Sequence, residues 1–172
     1  LTLARSLGVP AAVWVGPGVN TEALAEYGAD KVYVADDASL LDHPVAPTVA
    51  VLSGLVAEHA PAAVLIASTA DGKEVAARLA VRTGSGVLTD AVAVAPDLTA
   101  TQSVFGGATI VQSKVTTGTP IITVRPNATP PAPEAGAGTR VDVTATLGAS
   151  DTAATVVNRV VAEKGGRPEL TE

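Results

Sequence analysis

The chain has 172 residues, a mass of 17.0 kDa and a formal charge of −6, with an isoelectric point near 4.8. At roughly 150 residues per domain this bounds it to one domain with at most an appendage, and an apolar share of 47% excludes wholesale disorder. The acidic balance argues against polyanionic partners, and Trp14, Tyr27, Tyr33 and Phe105 are too few aromatics for a base-stacking platform, so nucleic acid is not an expected partner.

Leu1, Leu3, Ala4 and Leu7 recur at helical spacing and Gly8 follows, which reads as the end of a helix. Residues 11–15 (AAVWV) form a short buried strand closed by Gly16-Pro17-Gly18. Asn20 suits the N-cap of a helix over 21–27, with Glu22 in its first turn and Gly28 past its end. A second strand at 31–35 (KVYVA) precedes a helix at 48–59 that lines up Val49, Leu52, Leu55 and Val56 on one face. Residues 62–67 (AAVLIA) are wholly apolar, the pattern of a central strand, and a fourth helix spans about 72–83. Strands and helices thus alternate with brief loops. That order predicts a parallel sheet covered on both faces.

The second half lacks helical spacing. Residues 87–94, 99–105, 109–116 and 121–125 are strand-like, with turn signals at Pro96-Asp97, Gly106-Gly107 and Gly118, and read together as an antiparallel extension. The Pro/Ala/Gly segment 127–138 can form neither helix nor central strand; few backbone bonds are expected to hold it, so it should be mobile. Period-two alternation resumes at 140–146, and 155–163 fits helix and strand equally. The expected fold is α/β: a Rossmann-like, open, mainly parallel sheet with helices on both faces and an antiparallel extension. The expected organisation is an α/β domain over 1–126, a Pro/Gly-rich linker at 127–139, and returning strands with a hinge over 140–172.

The strongest candidate for a ligand site is the loop Ser68-Thr69-Ala70-Asp71-Gly72-Lys73. It leaves the carboxyl end of an apolar strand and opens a helix, the place where open α/β sheets bind ligands. Backbone N–H groups, the hydroxyls of Ser68 and Thr69, the turn at Gly72 and the Lys73 ammonium could hold an anion there, although Asp71 opposes one. The plainer reading is that Ser68 to Asp71 caps the helix; Gly84-Ser85-Gly86 reads as a helix C-cap leading into a strand, and Gly16-Pro17-Gly18 and Asp36-Asp37 read as turns. Cysteine is absent, which removes thiolate and disulfide chemistry, and His43 and His59 have no relay beside them. No apolar run approaches the 18 residues of a membrane span. No catalytic constellation emerges, and no metal ligand set.

In strand–helix order, residues 64–94 (VLIASTADGKEVAARLAVRTGSGVLTDAVAV) resemble the N-terminal domain of an electron transfer flavoprotein α subunit. Residues 103–114 (SVFGGATIVQSK), 120–127 (PIITVRPN) and the closing 165–172 (GGRPELTE) continue the likeness in the same order. The resemblance implies a cytoplasmic bacterial heterodimer with a β subunit. That heterodimer takes electrons from acyl-CoA dehydrogenase-type donors of fatty-acid β-oxidation to a quinone reductase of the respiratory chain. It implies one FAD in the complete heterodimer, not held by this chain, and AMP only in the partner subunit. Two parts of the family pattern are absent from this sequence: the strand expected just before Leu1, and the glycine-rich FAD-binding domain expected after Glu172. The family's FAD contacts therefore fall on no residue here. The expected role is a scaffold and subunit-docking domain without chemistry of its own. The alternative is an adenine-nucleotide-binding domain or sensor of the related α/β superfamily, using Ser68 to Lys73.

Overall fold

A computed structural model describes residues 1–160. Through the first half the elements fall where the apolar spacing places them: α1 (Thr2–Arg5), β1 (Ala11–Val15), α2 (Thr21–Glu26), β2 (Lys31–Ala35), α3 (Ala46–His59), β3 (Val64–Ala67) and α4 (Ala70–Thr83). A 3-10 turn, Ala38–Asp42, precedes α3, its start capped by the Asp37 carboxylate accepting from the Ser39 N–H at 2.8 Å. Asn20 caps α2 by accepting from the Ala23 N–H at 3.0 Å, and Gly84 ends α4 in the left-handed region at φ 63. β4 (Val87–Val94), β5 (Ala100–Val104), β6 (Thr109–Ser113), β7 (Ile121–Val124) and β8 (Thr139–Asp142) complete the order.

The strands make two ladders. One is β1-β2-β8, all parallel, with Lys31 opposite both Ala11 and Thr139. The other is β3-β7-β4-β5-β6, in which β3, β7 and β4 run parallel and only β5 and β6 are antiparallel. The antiparallel extension is therefore smaller than expected: β4 and β7 belong to the parallel part. The physical reason is visible at Ile121, Ile122 and Thr123, each fully buried, the pattern of a strand covered on both faces. β7 slots between β3 and β4 after the β5–β6 hairpin has left and returned. Residues 64–67, expected to be central, instead pair only with β7 among the described strands, and their side chains are half-buried or exposed.

Helices cover both faces. On one face Val49 of α3 and Val75, Ala76, Leu79 and Ala80 of α4 pack on Ile121, while Val51 and Leu55 of the same α3 pack with Ala35 and Val15. On the other, Leu3 and Leu7 lie against Ala91 and Ile122, and Leu1 and Leu24 against Val32 and Val34. α3 thus touches both ladders, and so does the N-terminal segment from Leu1 to Leu7 that contains α1.

The segment 127–138 has the irregular backbone its prolines impose, but it is not loosely held. The N–H groups of Glu134, Gly136 and Gly138 donate to the carbonyls of Glu26, Ala25 and Ala29 at 2.8–2.9 Å. Arg5 donates to the Tyr27 and Ala132 carbonyls at 2.7 and 2.8 Å. A Cβ on Gly136 would lie 2.4 Å from the Ala29 carbonyl oxygen, so glycine is what lets the strap lie on α2. The expectation of mobility rested on composition, which does not register these bonds. Residues 155–160 are irregular; the rest of the ambiguous 155–163 stretch and the 165–172 motif lie outside the described residues.

Beyond β8 the chain is fastened by Asp151, which is 5% exposed. Its carboxylate accepts from Arg82 at 2.7 and 3.3 Å and from the Gly148 N–H at 2.9 Å. The Arg82 guanidinium, helped by that N–H, holds the carboxyl below the ordinary carboxylate range. A depressed folded pKa contributes stability above the unfolded pKa that is lost as pH falls through the folded one. Asp151→Asn should therefore lower stability near neutral pH by about 1–3 kcal/mol and flatten the decline below about pH 4. Melting temperatures of the two proteins from pH 7 down to pH 3 check both effects.

Candidate functional site

The carboxyl ends of β3, β7 and β4 bring together a polar cluster that the sequence loop only partly describes. Ser68 continues β3, its N–H donating to the Val124 carbonyl at 2.8 Å. The buried Thr123 hydroxyl donates to Ser68 Oγ at 3.1 Å and accepts from the Asp90 N–H at 2.8 Å. Asp90 lies at φ 61, where a β-bulge shifts the register between Leu88 and Ala91. Arg125 clasps Asp90 Oδ2 through Nε at 3.1 Å and Nη2 at 2.5 Å, and Nη2 also donates to the Ser103 carbonyl at 3.1 Å. That guanidinium holds the Asp90 carboxyl below its ordinary range, with the Ser68 hydroxyl and the Lys73 charge acting in the same direction.

The five loop residues singled out from sequence are used in four ways. Ser68 joins the buried cluster. Thr69 Oγ1 accepts from the Gly72 N–H at 3.0 Å, occupying one of the free amides at the helix start. A Cβ on Gly72 would stand 1.9 Å from the Ala67 carbonyl oxygen, so this glycine serves the close approach of α4 to β3 and not a phosphate. Asp71 and Lys73 lie exposed on the first turn. Asp90, Thr123 and Arg125 were not found from sequence. Their signal was a carboxylate inside the apolar run 87–94 and a cation just after 121–124: a charge in a buried strand needs a counter-charge. Beside the cluster an open groove of about 500 Å³ runs between α1 with α2 and the ends of β3 and β7, lined by Leu1, Leu3, Leu24, Leu65 and Ile66 with Arg125 at its rim.

The remaining candidates have structural partners. Ser85 Oγ accepts from the Thr119 N–H at 3.1 Å, Asp36 pairs with Arg140 at 3.0 Å, and the His59 ring lies 5.0 Å from that of Tyr33. His43 Nδ1 is 2.7 Å from the Ala154 carbonyl. Every buried side-chain nitrogen and oxygen among the described residues has a hydrogen-bond partner, and none of their His, Asp and Glu side chains gather in threes around a metal-sized site. No helix among them is long and apolar enough to cross a membrane.

Residues 1–149 match the family model of the electron transfer flavoprotein domain. The chain belongs to the electron transfer flavoprotein family. It is 44% identical over 176 residues to the electron transfer flavoprotein subunit alpha of Mycobacterium leprae, an alignment covering 100% of this chain and 55% of that protein. Over 147 residues it is 48% identical to the Mycobacterium tuberculosis subunit alpha, covering 83% of this chain and 46% of the relative. The Syntrophomonas wolfei subunit alpha is 36% identical over 168 residues, covering 94% and 52%. The chain spans about half the length of these curated relatives and resembles their α-subunit N-terminal domain.

Two measurements test the site. Gly72→Ala forces a backbone shift and should destabilise the domain by about 1–3 kcal/mol or more, read as a lower melting temperature. Titration calorimetry with AMP should give no binding at micromolar strength. Asp71 and Lys73 contribute opposing effects of about 0.3–1 kcal/mol each at an exposed helix end. Micromolar AMP binding abolished by Lys73→Ala and retained in Asp71→Asn would favour the nucleotide-sensor reading instead.

Proposed function

We propose that this chain is the scaffold and subunit-docking domain of an electron transfer flavoprotein α subunit and that it performs no catalysis itself. It would act in the cytoplasm, within a heterodimer with a β subunit. The complete carrier would take electrons from acyl-CoA dehydrogenase-type flavin dehydrogenases, as in fatty-acid β-oxidation, to a quinone reductase of the respiratory chain. Residues 140–172 would return the chain to the sheet and lead toward an FAD-binding domain, the linker at 127–139 preceding them.

The observation that carries this reading is how the polar groups at the strand ends are used. Arg125 is clasped to Asp90, Thr123 to Ser68, and Thr69 to the first amides of α4. These residues do not fit FAD: a pyrophosphate there would meet the Asp71 and Asp90 carboxylates, and Gly72 is already committed to the contact with Ala67. No aromatic side chain lies in the polar cluster itself, and Tyr27 alone of the four lines the groove beside it. The cluster instead locks three strands in register, which is what a scaffold needs.

FAD titration separates the roles. The isolated 172-residue chain should stay colourless after incubation with FAD and desalting, whereas the full-length polypeptide copurified with its partner subunit should carry flavin. Stoichiometric flavin absorbance on the isolated chain would overturn the proposal.

A further inference from the structure

Among the described residues, apolar anchorage past β8 ends at Leu147. Val143, Ala145 and Leu147 pack on Ala35, Leu40, Val51 and Leu55. Residues 148–160 then form neither helix nor strand: Asp151 is buried, Val156 is half-buried and the others are exposed, Val157 at 98% and Val160 at 86%. An open cavity of about 380 Å³ is lined by Ser150 and Asp151 with Ala46 and Val49 of α3 and Ala77 and Val81 of α4. Apolar surface of both helices therefore stays unfilled beside this segment.

What fastens the segment is polar, and it acts at two places. Asp151 is clasped by Arg82 at 2.7 and 3.3 Å and by the Gly148 N–H at 2.9 Å. Further on, three bonds meet three successive residues in antiparallel order. The Ala154 carbonyl lies 2.7 Å from His43 Nδ1, the Val156 N–H donates to the Asp42 carbonyl at 2.8 Å, and Arg159 donates to the Leu41 carbonyl at 2.8 Å.

We propose that residues 148–160 are a releasable strap that opens as one unit, with Asp151 on Arg82 as its pin, while the sheets and helices stay folded. This holds whether or not the chain serves an electron carrier. Exposed hydrogen bonds trade a protein partner for water at little net cost, and a segment with few buried apolar contacts opens more often than a core. Asp151 makes the opening concerted. Its carboxylate cannot part from Arg82 and stay buried, because a buried charge would then lack its counter-charge. The pair separates only as Asp151 swings into water with the residues on either side of it. Closed, the strap ties the polypeptide down at Leu41. Open, the last fixed point moves back to Leu147 and residues 148–160 add about 40 Å of extended chain. One polypeptide thus offers whatever follows it a short tether and a long one, and the pin sets their proportion.

Hydrogen exchange along a urea series tests this on the full-length polypeptide as purified. The Val156 amide should open at least about 100-fold more often than the Ile121 amide of β7, and its opening should depend little on urea, since it exposes little surface. Arg82→Met keeps most of the side-chain stem and removes the guanidinium. It should raise Val156 exchange at least about tenfold, although the bonds lost are to Asp151, five residues earlier. If that variant fails to fold, the wild-type comparison decides alone. Opening of Val156 and Ile121 in one event, with the same urea dependence, overturns the strap. So does Val156 exchange that Arg82→Met leaves unchanged.

Discussion

The two ladders of this domain exchange no strand pairing among the described residues, so they are joined by side chains and not by a shared run of backbone bonds. Everything else depends on how that joint is made. α3 makes it on one face: Val49 belongs to the cluster over β7, while Val51 and Leu55 belong to the cluster over β1 and β2. The N-terminal segment around α1 makes it on the other, with Leu3 and Leu7 on the five-stranded ladder and Leu1 on the three-stranded one. Apolar contact of this kind is non-directional and roughly proportional to area. It fixes the distance between the ladders more firmly than their rotation. Directional restraint has to come from elsewhere, and the strap over 127–138 provides it, bonding α2 on its way from β7 to β8.

The near absence of aromatic residues follows from the same geometry. Ala76 and Ala80 face the sheet from α4 where larger residues would hold the helix off. Gly72 goes further, placing the helix start so near β3 that even a methyl group would strike the Ala67 carbonyl. A core of Ala, Val, Leu and Ile reaches interior density by bringing backbones together, not by filling space with rings. One consequence is that single methylenes matter, since small side chains leave neighbours little room to repack around an addition.

The local elements were legible because each has a local cause. The strands at 11–15, 31–35 and 87–94 have the bounds that apolar runs and flanking glycines suggest, and Asn20 and Gly84 cap the helices they were read to cap. Pairing was less legible, because it depends on partners far away in the chain. Residues 121–125 follow a hairpin directly, and proximity in sequence suggested an antiparallel neighbour; only the unbroken apolar run Ile121-Ile122, continued by a buried Thr123, hinted at a strand covered on both faces. At the strand ends the loop Ser68 to Lys73 is visible as a motif, but its counterparts Asp90, Thr123 and Arg125 come from β4 and from the end of β7. A motif read along one segment cannot include them. Composition misleads on the strap for a related reason: proline removes donors, yet Glu134, Gly136 and Gly138 keep theirs and find carbonyls on α2 and just past its end.

The use of arginine explains why so little of this surface is suited to an anion. Of the six arginines among the described residues, Arg78 pairs solely with a local partner, Glu74 one helical turn away. Arg5 reaches the Ala132 carbonyl, Arg82 reaches Asp151, Arg125 reaches Asp90, Arg140 reaches Asp36 and Arg159 donates to the Leu41 carbonyl at 2.8 Å. Each of these closes a long stretch of chain with a planar, multi-donor group that also fixes orientation. They supply the directional restraint that the Val and Leu clusters lack. A guanidinium paired with a carboxylate is neutralised by it, and one bonded to carbonyls has fewer donors left for a phosphate. Lysine could have served a ligand as a mobile point charge, but at this site only Lys73 is near, and two carboxylates stand beside it.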